Sequence, residues 1–317
     1  MKRRLTVLGL ILILLLSVAG CMEWKDKPAD GTKSLRARLI VTQDFGNKVL
    51  YDKEVEFDEE NSVMEILKEN LEVETAYGGG FVSAINGIKS AGDLNSGVRK
   101  DWFYYVNGIC SDVGAGDMPA HNGDVIWWDY HAWVAGPVNS AVIGCYPEPF
   151  CNGYRGETKK AVILTFPEYQ KLAEKLKNSL IVLGVKEVEI AGIEEERLKK
   201  RENPVLVIGE WQQLEKIGYL NSLNQAYRKN GSGLHFTKEG IEILSLQGDP
   251  VKTVAISAAA VVALGEGLGD ENPCWIIAGN DQESLTEAIE ILKSPEKIRY
   301  MYGAVITRDK IIRVPAE

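Results

Sequence analysis

Residues 101–133 read DWFYYVNGICSDVGAGDMPAHNGDVIWWDYHAW and contain Trp102, Trp127, Trp128 and Trp133, four of the seven tryptophans in the chain. Runs of β-prone residues over 102–106 and 125–133 enclose a segment rich in Gly, Asp and Pro, the composition of turns and loops. On the second run the two-residue period of a strand sets Ile126, Trp128, Tyr130 and Ala132 on one face and Val125, Trp127, Asp129, His131 and Trp133 on the other. The first face reads as core and the second as surface. A surface bearing Trp127, His131 and Trp133 is a contiguous apolar patch, and such patches mark contact with a ligand or another part of the protein.

Upstream, 35–43 and 49–57 read as strands joined by a turn at Gly46-Asn47. A helix opens near Asn61-Ser62 and carries Val63, Ile66, Leu67 and Leu71 on one face, the spacing that packs on a sheet. Tyr77-Gly78-Gly79-Gly80-Phe81 then leads into a strand over 83–88. Two strands, a helix and further strands predict an α+β module of the β-grasp type over 34–135.

Four segments in this order and spacing, Val82-Ser83-Ala84-Ile85-Asn86-Gly87-Ile88, Trp102-Phe103-Tyr104-Tyr105-Val106-Asn107-Gly108, Asp112-Val113-Gly114-Ala115-Gly116-Asp117 and Asn122-Gly123-Asp124-Val125-Ile126, carry a resemblance. The module resembles the transcobalamin-like C-terminal domain, the small β-domain of vitamin B12 carriers such as intrinsic factor and transcobalamin, which also occurs in bacterial surface proteins. The resemblance covers roughly residues 34–134, about a third of the chain. It implies a fold whose loops cap one face of a corrin ring (cobalamin). It implicates Tyr77, Gly78, Gly79, Gly80 and Phe81 in the turn, Trp102 at the strand entry, and Ser111, Asp112, Val113, Gly114, Ala115 and Asp117 in the loop; Tyr104 on the same strand is a further candidate. Trp127, His131 and Trp133 on the face read as surface join this candidate set. A corrinoid is a broad apolar disc fringed with amides, suited to aromatic side chains and close-approaching glycine backbone. The helical barrel that completes the site in the carriers has no counterpart here. The aromatic residue that some carriers place after the helix is also absent, unless Tyr77 takes its role.

Downstream, 136–158 reads as a linker, and 159–317 as an α/β module. Strands are expected over 161–166, 187–190, 205–209 and 274–278, and helices over 167–183, 212–229, 251–264 and 282–292, with Pro167 at a favourable helix start. This alternation predicts a mainly parallel sheet covered by helices, with a hairpin over 233–236 and 241–246 extending one edge. Gly265-Glu266-Gly267-Leu268-Gly269-Asp270 lacks the strand-turn-helix setting of a phosphate loop, and its glycines read as the end of the 251–264 helix. The strand-end turns Gly209-Glu210-Trp211 and Ala278-Gly279-Asn280-Asp281 are the better places for a ligand or partner in this half.

Lys2, Arg3 and Arg4 precede an apolar run over 5–18, the pattern of a secretory leader and too short for a confident membrane span. Leu16-Ser17-Val18-Ala19-Gly20-Cys21 resembles a bacterial lipobox, which implies a signal peptide over 1–20, lipidation of Cys21 and a polar tether over 21–33. The expected location is the extracytoplasmic face of the cell membrane. Cleavage removes three of the 36 basic residues and none of the 45 acidic ones, taking the formal charge from −9 to −12. That balance excludes the basic stripe by which proteins hold nucleic acid.

Disulfides are permitted in that compartment. Cys145 and Cys151, in a turn-rich loop, are the expected pair, contributing about 2 kcal/mol at most. Spacing leaves a Cys110–Cys274 pairing open, and no paired Cys-x-x-Cys indicates a structural zinc site.

His121, His131 and His235 are the only histidines, and none lies in a Gly-x-Ser-x-Gly or His-x-x-x-His setting. No catalytic set is recognisable, so no enzyme activity, required cofactor or metal site is expected. The reading is a lipid-anchored binding protein that captures a corrinoid or a similar bulky ligand and passes it to a membrane importer. The alternative is a cell-surface module that docks protein or glycan without a small-molecule ligand.

Overall fold

Both aromatic runs are strands of one sheet. Arg99–Val106 and Val125–Trp133 pair antiparallel, with Trp102 opposite Tyr130 and Tyr104 opposite Trp128. Leu35–Gln43 lies parallel to Val125–Trp133 on its other side and antiparallel to Lys48–Phe57. The helix Val63–Asn70 begins where expected, because Ser62 and Glu65 form a reciprocal capping box. Its Val63, Ile66 and Leu67 pack with Leu39, Val41, Ile126, Trp128 and Tyr130, the face read as core. A small sheet of Val73–Ala76, Phe81–Ile85 and Ile88–Lys89 adjoins it, held by bonds from Trp102 Nε1 to the Ile88 carbonyl (3.1 Å) and from the Tyr130 hydroxyl to the Lys89 carbonyl (2.8 Å).

The computed structural model describes residues 34–92, 97–135, 139–255 and 257–316. The expected leader, Cys21 and the tether lie outside the described residues. No described helix is long and apolar enough to cross a membrane.

The second half is built on a seven-stranded sheet. Val188–Gly192, Ala161–Thr165, Val205–Glu210 and Cys274–Gly279 run parallel, and Ala258–Leu264, Gly303–Thr307 and Ile311–Val314 continue it antiparallel. The sheet is therefore mixed and not mainly parallel. Helices Gln170–Val182 and Gln282–Leu292 cover one face through Leu172, Leu176, Leu285 and Ile289. The other face is covered by Leu198, Trp211 and Leu220 from short helices and by Phe236, Ile241 and Val254 from a three-stranded sheet. That small sheet contains the expected hairpin, which does not extend the large sheet.

One expected helix is replaced and another is broken. The 251–264 run forms the strands Pro250–Val254 and Ala258–Leu264, the second buried at every position. Its alanines give it a helical composition, but a strand enclosed on both faces reads as a continuous apolar run. The 212–229 run breaks into Trp211–Leu214 and Gly218–Gln225. The glycine turn at 265–270 consequently joins two antiparallel strands and ends no helix.

Residues Leu35–Glu317 form one compact unit. The run over 139–154 lies inside it: Ile143, Tyr146 and Phe150 enter the core under the helices, Val142 and Cys145 enter a cluster with Trp127 and Tyr302, and Tyr154 enters the core of the first sheet. All four described cysteines are free. The expected Cys145–Cys151 bridge is absent because the two side chains serve different clusters. Cys145 packs with Tyr105 and Trp127, whereas Cys151 packs under the helices with its Sγ 3.6 Å from the Leu183 carbonyl.

Candidate functional site

The turn and the loop singled out in the sequence meet. Tyr77, Gly78 and Gly79 all have positive φ (52°, 74° and 100°), and a side chain at Gly78 or Gly79 would meet no neighbour. This left-handed run turns Tyr77 outward until it is 91% exposed, with the Phe81 ring 6.1 Å away in an edge contact. Gly114 lies against this turn, its Cβ position 3.6 Å from the Gly80 carbonyl oxygen.

The loop beside it is firmly held. The Tyr104 hydroxyl lies 2.6 Å from Ser111 Oγ and 2.5 Å from the Val113 carbonyl, and its ring stacks on Trp128 at 4.9 Å. Burial pushes the Tyr104 phenol up, so it stays protonated as a donor. The Tyr154 hydroxyl and the Arg155 guanidinium reach Asp112 at 3.2 and 2.6 Å. On the other side the Val63 and Met64 amides at the start of the helix donate to the carbonyls of Met118 and Ala115 (2.9 and 3.0 Å). Ser111 and Ala115 are buried, while Asp112, Gly116 and Asp117 are exposed and Val113 and Gly114 half-buried. The open surface therefore consists of Tyr77, Phe81 and the 112–117 rim.

The other candidates lie elsewhere. Trp102 is a core residue, and Trp133, half-buried, bonds Asp101 through Nε1 at 2.7 Å. Trp133 stands five residues beyond Trp128, about 16 Å along the strand at 3.3 Å per residue, away from the Tyr104–Trp128 pair that adjoins the loop. Trp127 and His131 belong to the face read as surface, and that expectation is overturned: Trp127 and Asp129 are fully buried and His131 is 4% exposed. The cover is the protein's own chain, with Tyr302, Val142 and Cys145 closing over Trp127, Tyr105 and Phe45.

Under this cover sits a constellation that local sequence reading missed. Asp129 accepts from the Phe45 and Gly46 amides at 3.1 and 3.0 Å and from the Thr42 hydroxyl, with His131 Nδ1 at 2.8 Å and the Tyr302 hydroxyl at 3.3 Å. Phe45 and Phe103 both stack on His131, each with its ring centroid 4.4 Å from the imidazole. Trp127 Nε1 donates to Thr42 Oγ1 at 2.7 Å. An Asp–His pair with a neighbouring tyrosine has the parts of a proton relay, but a substrate has no access to it. It holds the two sheets together.

A buried pair of carboxyls, Asp124 and Glu148, was also unread. Asn107 Nδ2 and the His121 amide donate to Asp124 (both 2.8 Å), and Asn152 donates to Glu148 through its backbone amide at 2.9 Å and its side chain at 2.5 Å. Burial, with Asp124 nearby, pushes the Glu148 carboxyl up to about 7. Among the described residues no group of three or more His, Cys, Asp or Glu is placed to hold a metal ion.

No curated protein matches the chain. Among solved structures, a chain from Ruminococcus gnavus ATCC 29149 described as a "putative metal binding protein" is similar at 19% identity, with a TM-score of 0.23, over 30% of this chain and 95% of that one. Residues 60–132 match the family model described as Domain of unknown function (DUF4430), a span that takes in the capped helix, the 77–81 turn, the 111–117 loop and both aromatic strands.

Proposed function

We propose that the chain is an extracytoplasmic binding protein whose ligand rests on Tyr77, Phe81 and the 112–117 rim, and that the ligand is a corrinoid or a similarly broad, amide-fringed molecule. The observation that carries this reading is Tyr77: an aromatic ring 91% exposed, on a turn of three consecutive left-handed residues, beside a loop hydrogen-bonded on both sides. An uncovered tyrosine offers a flat ligand a stacking surface, and its side chain has only two torsions to order on binding. The DUF4430 match falls on the same turn and loop. The lipobox-like Leu16–Cys21 segment supports a membrane-tethered location, and with it delivery to an importer.

Calorimetric titration with cobalamin and cobinamide tests the reading. The expected result is saturable binding that Tyr77→Ala weakens at least tenfold without changing the thermal midpoint. Trp102→Ala, a core truncation, should instead lower the midpoint, with a cost of about 3–5 kcal/mol. A wild-type chain that gives neither heat nor tryptophan quenching with either compound would sink the corrinoid reading and leave protein or glycan docking at the same surface.

A further inference from the structure

The 111–117 loop is held by more than its own module. The Gly269 amide donates to the Cys110 carbonyl at 2.8 Å, and its Cα lies so close to Asp112 that a Cβ there would fall 2.4 Å from the Asp112 carboxyl carbon. Ser140 stitches the same place, its carbonyl accepting from the Cys110 amide at 2.9 Å and its hydroxyl from the Gly265 amide at 2.8 Å.

The 265–270 turn is itself rigid. Asp270 accepts from the amides of Glu266 and Asn272, both at 2.9 Å, and pairs with Arg201 at 2.9 Å. The Arg201 side chain is only 3% exposed and also donates to the carbonyls of Leu198 and Asn272 and to the Tyr219 hydroxyl. A buried guanidinium with this many fixed acceptors holds one geometry.

From this we infer that the 265–270 turn is a brace by which the second half of the chain sets the shape of the ligand-binding loop, with Gly269 as its positioning residue. The inference rests on the proposed site for its functional meaning, although the brace itself is testable without any ligand. It gives the second half a role: the loop is preorganised by a turn that lies far from it in sequence, which lowers the cost of ordering it at the moment of binding.

The experiment compares Gly269→Ala with Gly267→Ala in the full chain. A Cβ at Gly267 meets nothing within 4 Å, so the second variant controls for an added methyl in the same turn. Hydrogen exchange is followed at the Val113 and Asp117 amides, which are hydrogen-bonded within the loop, at the Ser111 amide, which donates to the Tyr104 carbonyl, and at core amides over 39–42. Cobinamide affinity is measured alongside.

In Gly269→Ala the loop amides are expected to exchange at least tenfold faster with the core unchanged, and cobinamide to bind at least tenfold more weakly. Gly267→Ala should match wild type in both. Should Gly269→Ala loosen the core as well, Ser140→Ala decides, since it removes the hydroxyl that bonds the Gly265 amide and carbonyl and so ties the turn to the residue that holds Cys110: faster exchange confined to the loop supports the brace. Wild-type exchange at the loop amides in Gly269→Ala, or in Ser140→Ala where that variant decides, overturns it. A wild-type chain that does not bind cobinamide removes the corrinoid reading, and the exchange comparison still judges the brace.

Discussion

Asp129 and Glu148 are both buried carboxylates, and their surroundings give them opposite consequences. Asp129 is ringed by donors, with a backbone amide on each oxygen. Whichever way an asparagine is turned there, its NH2 faces a backbone N–H, and an unsatisfied buried donor costs about 1–3 kcal/mol. Asp129→Asn should therefore lower stability by about 2–4 kcal/mol in denaturant titration. Glu148 titrates near 7 because it is buried and faces Asp124, whose carboxyl is raised chiefly by burial as well. A carboxyl raised on folding contributes stability that is complete below its unfolded pKa, near 4.5, and is lost as pH rises through about 7. The wild-type protein should therefore lose stability between about pH 4.5 and 7, and Glu148→Gln should flatten that slope by about 1–3 kcal/mol. Asp52 acts in the other direction. Burial opposes its ionisation, but bonds from Arg38 and Tyr300 hold its carboxyl low, so its contribution is lost only in acid. A slope unchanged in Glu148→Gln would show that Glu148 is not the group responsible.

The elements that were legible in the sequence are those whose signals are local. Ser62 and Glu65 cap the first helix, the alternating aromatics mark both strands, and Tyr77 to Phe81 and Ser111 to Asp117 declare themselves as turn and loop. The strand Ala258–Leu264 was illegible because its small residues answer to neighbours on two faces: it packs under the 282–292 helix on one side and the small sheet on the other. The expected linker over 136–158 fails across 139–154 for a related reason. Its turn residues suggested a surface loop closed by a disulfide, but its apolar side chains enter three clusters, and Cys145 and Cys151 face different ones. Burial pushes the Cys110, Cys151 and Cys274 thiols up to about 12 and Cys145 further in the same direction. The native protein should therefore resist alkylation at these four positions. After denaturation without reductant all four should alkylate in mass spectrometry, and a Cys145–Cys151 pair that takes no label would contradict the structure.

At the scale of the whole molecule the two sheets share one interior, which no local pattern foretold because Tyr302 meets Asp129 and His131 across more than 170 residues. The join is keyed in three places. Tyr302 closes the cluster of Phe45, Tyr105 and Trp127. Tyr300 donates to Asp52, which is already bidentate with Arg38. Gly46 fits against Tyr300 so closely that a Cβ would lie 1.8 Å from the Tyr300 carbonyl oxygen. Cutting the chain after residue 135 would uncover Trp127, Tyr105 and Phe45 and take a hydroxyl from Asp129. Aromatic side chains bury about 150–250 Å² each, so at about 25 cal/mol per Å² the lost burial is several kcal/mol. A domain of this size has only about 5–15 kcal/mol in total. The 34–135 fragment, which carries all of the proposed ligand surface, is therefore expected not to fold alone as a monomer, and the Leu35–Glu317 unit to unfold in a single calorimetric transition whose van't Hoff and calorimetric enthalpies agree. Tyr302→Ala should lower that one midpoint without splitting it. Two resolved transitions in the wild-type protein, or a 34–135 fragment with sharp unfolding of its own, would mean that the halves are independent domains, and the brace at Gly269 would then be a contact between neighbours rather than a part of one core.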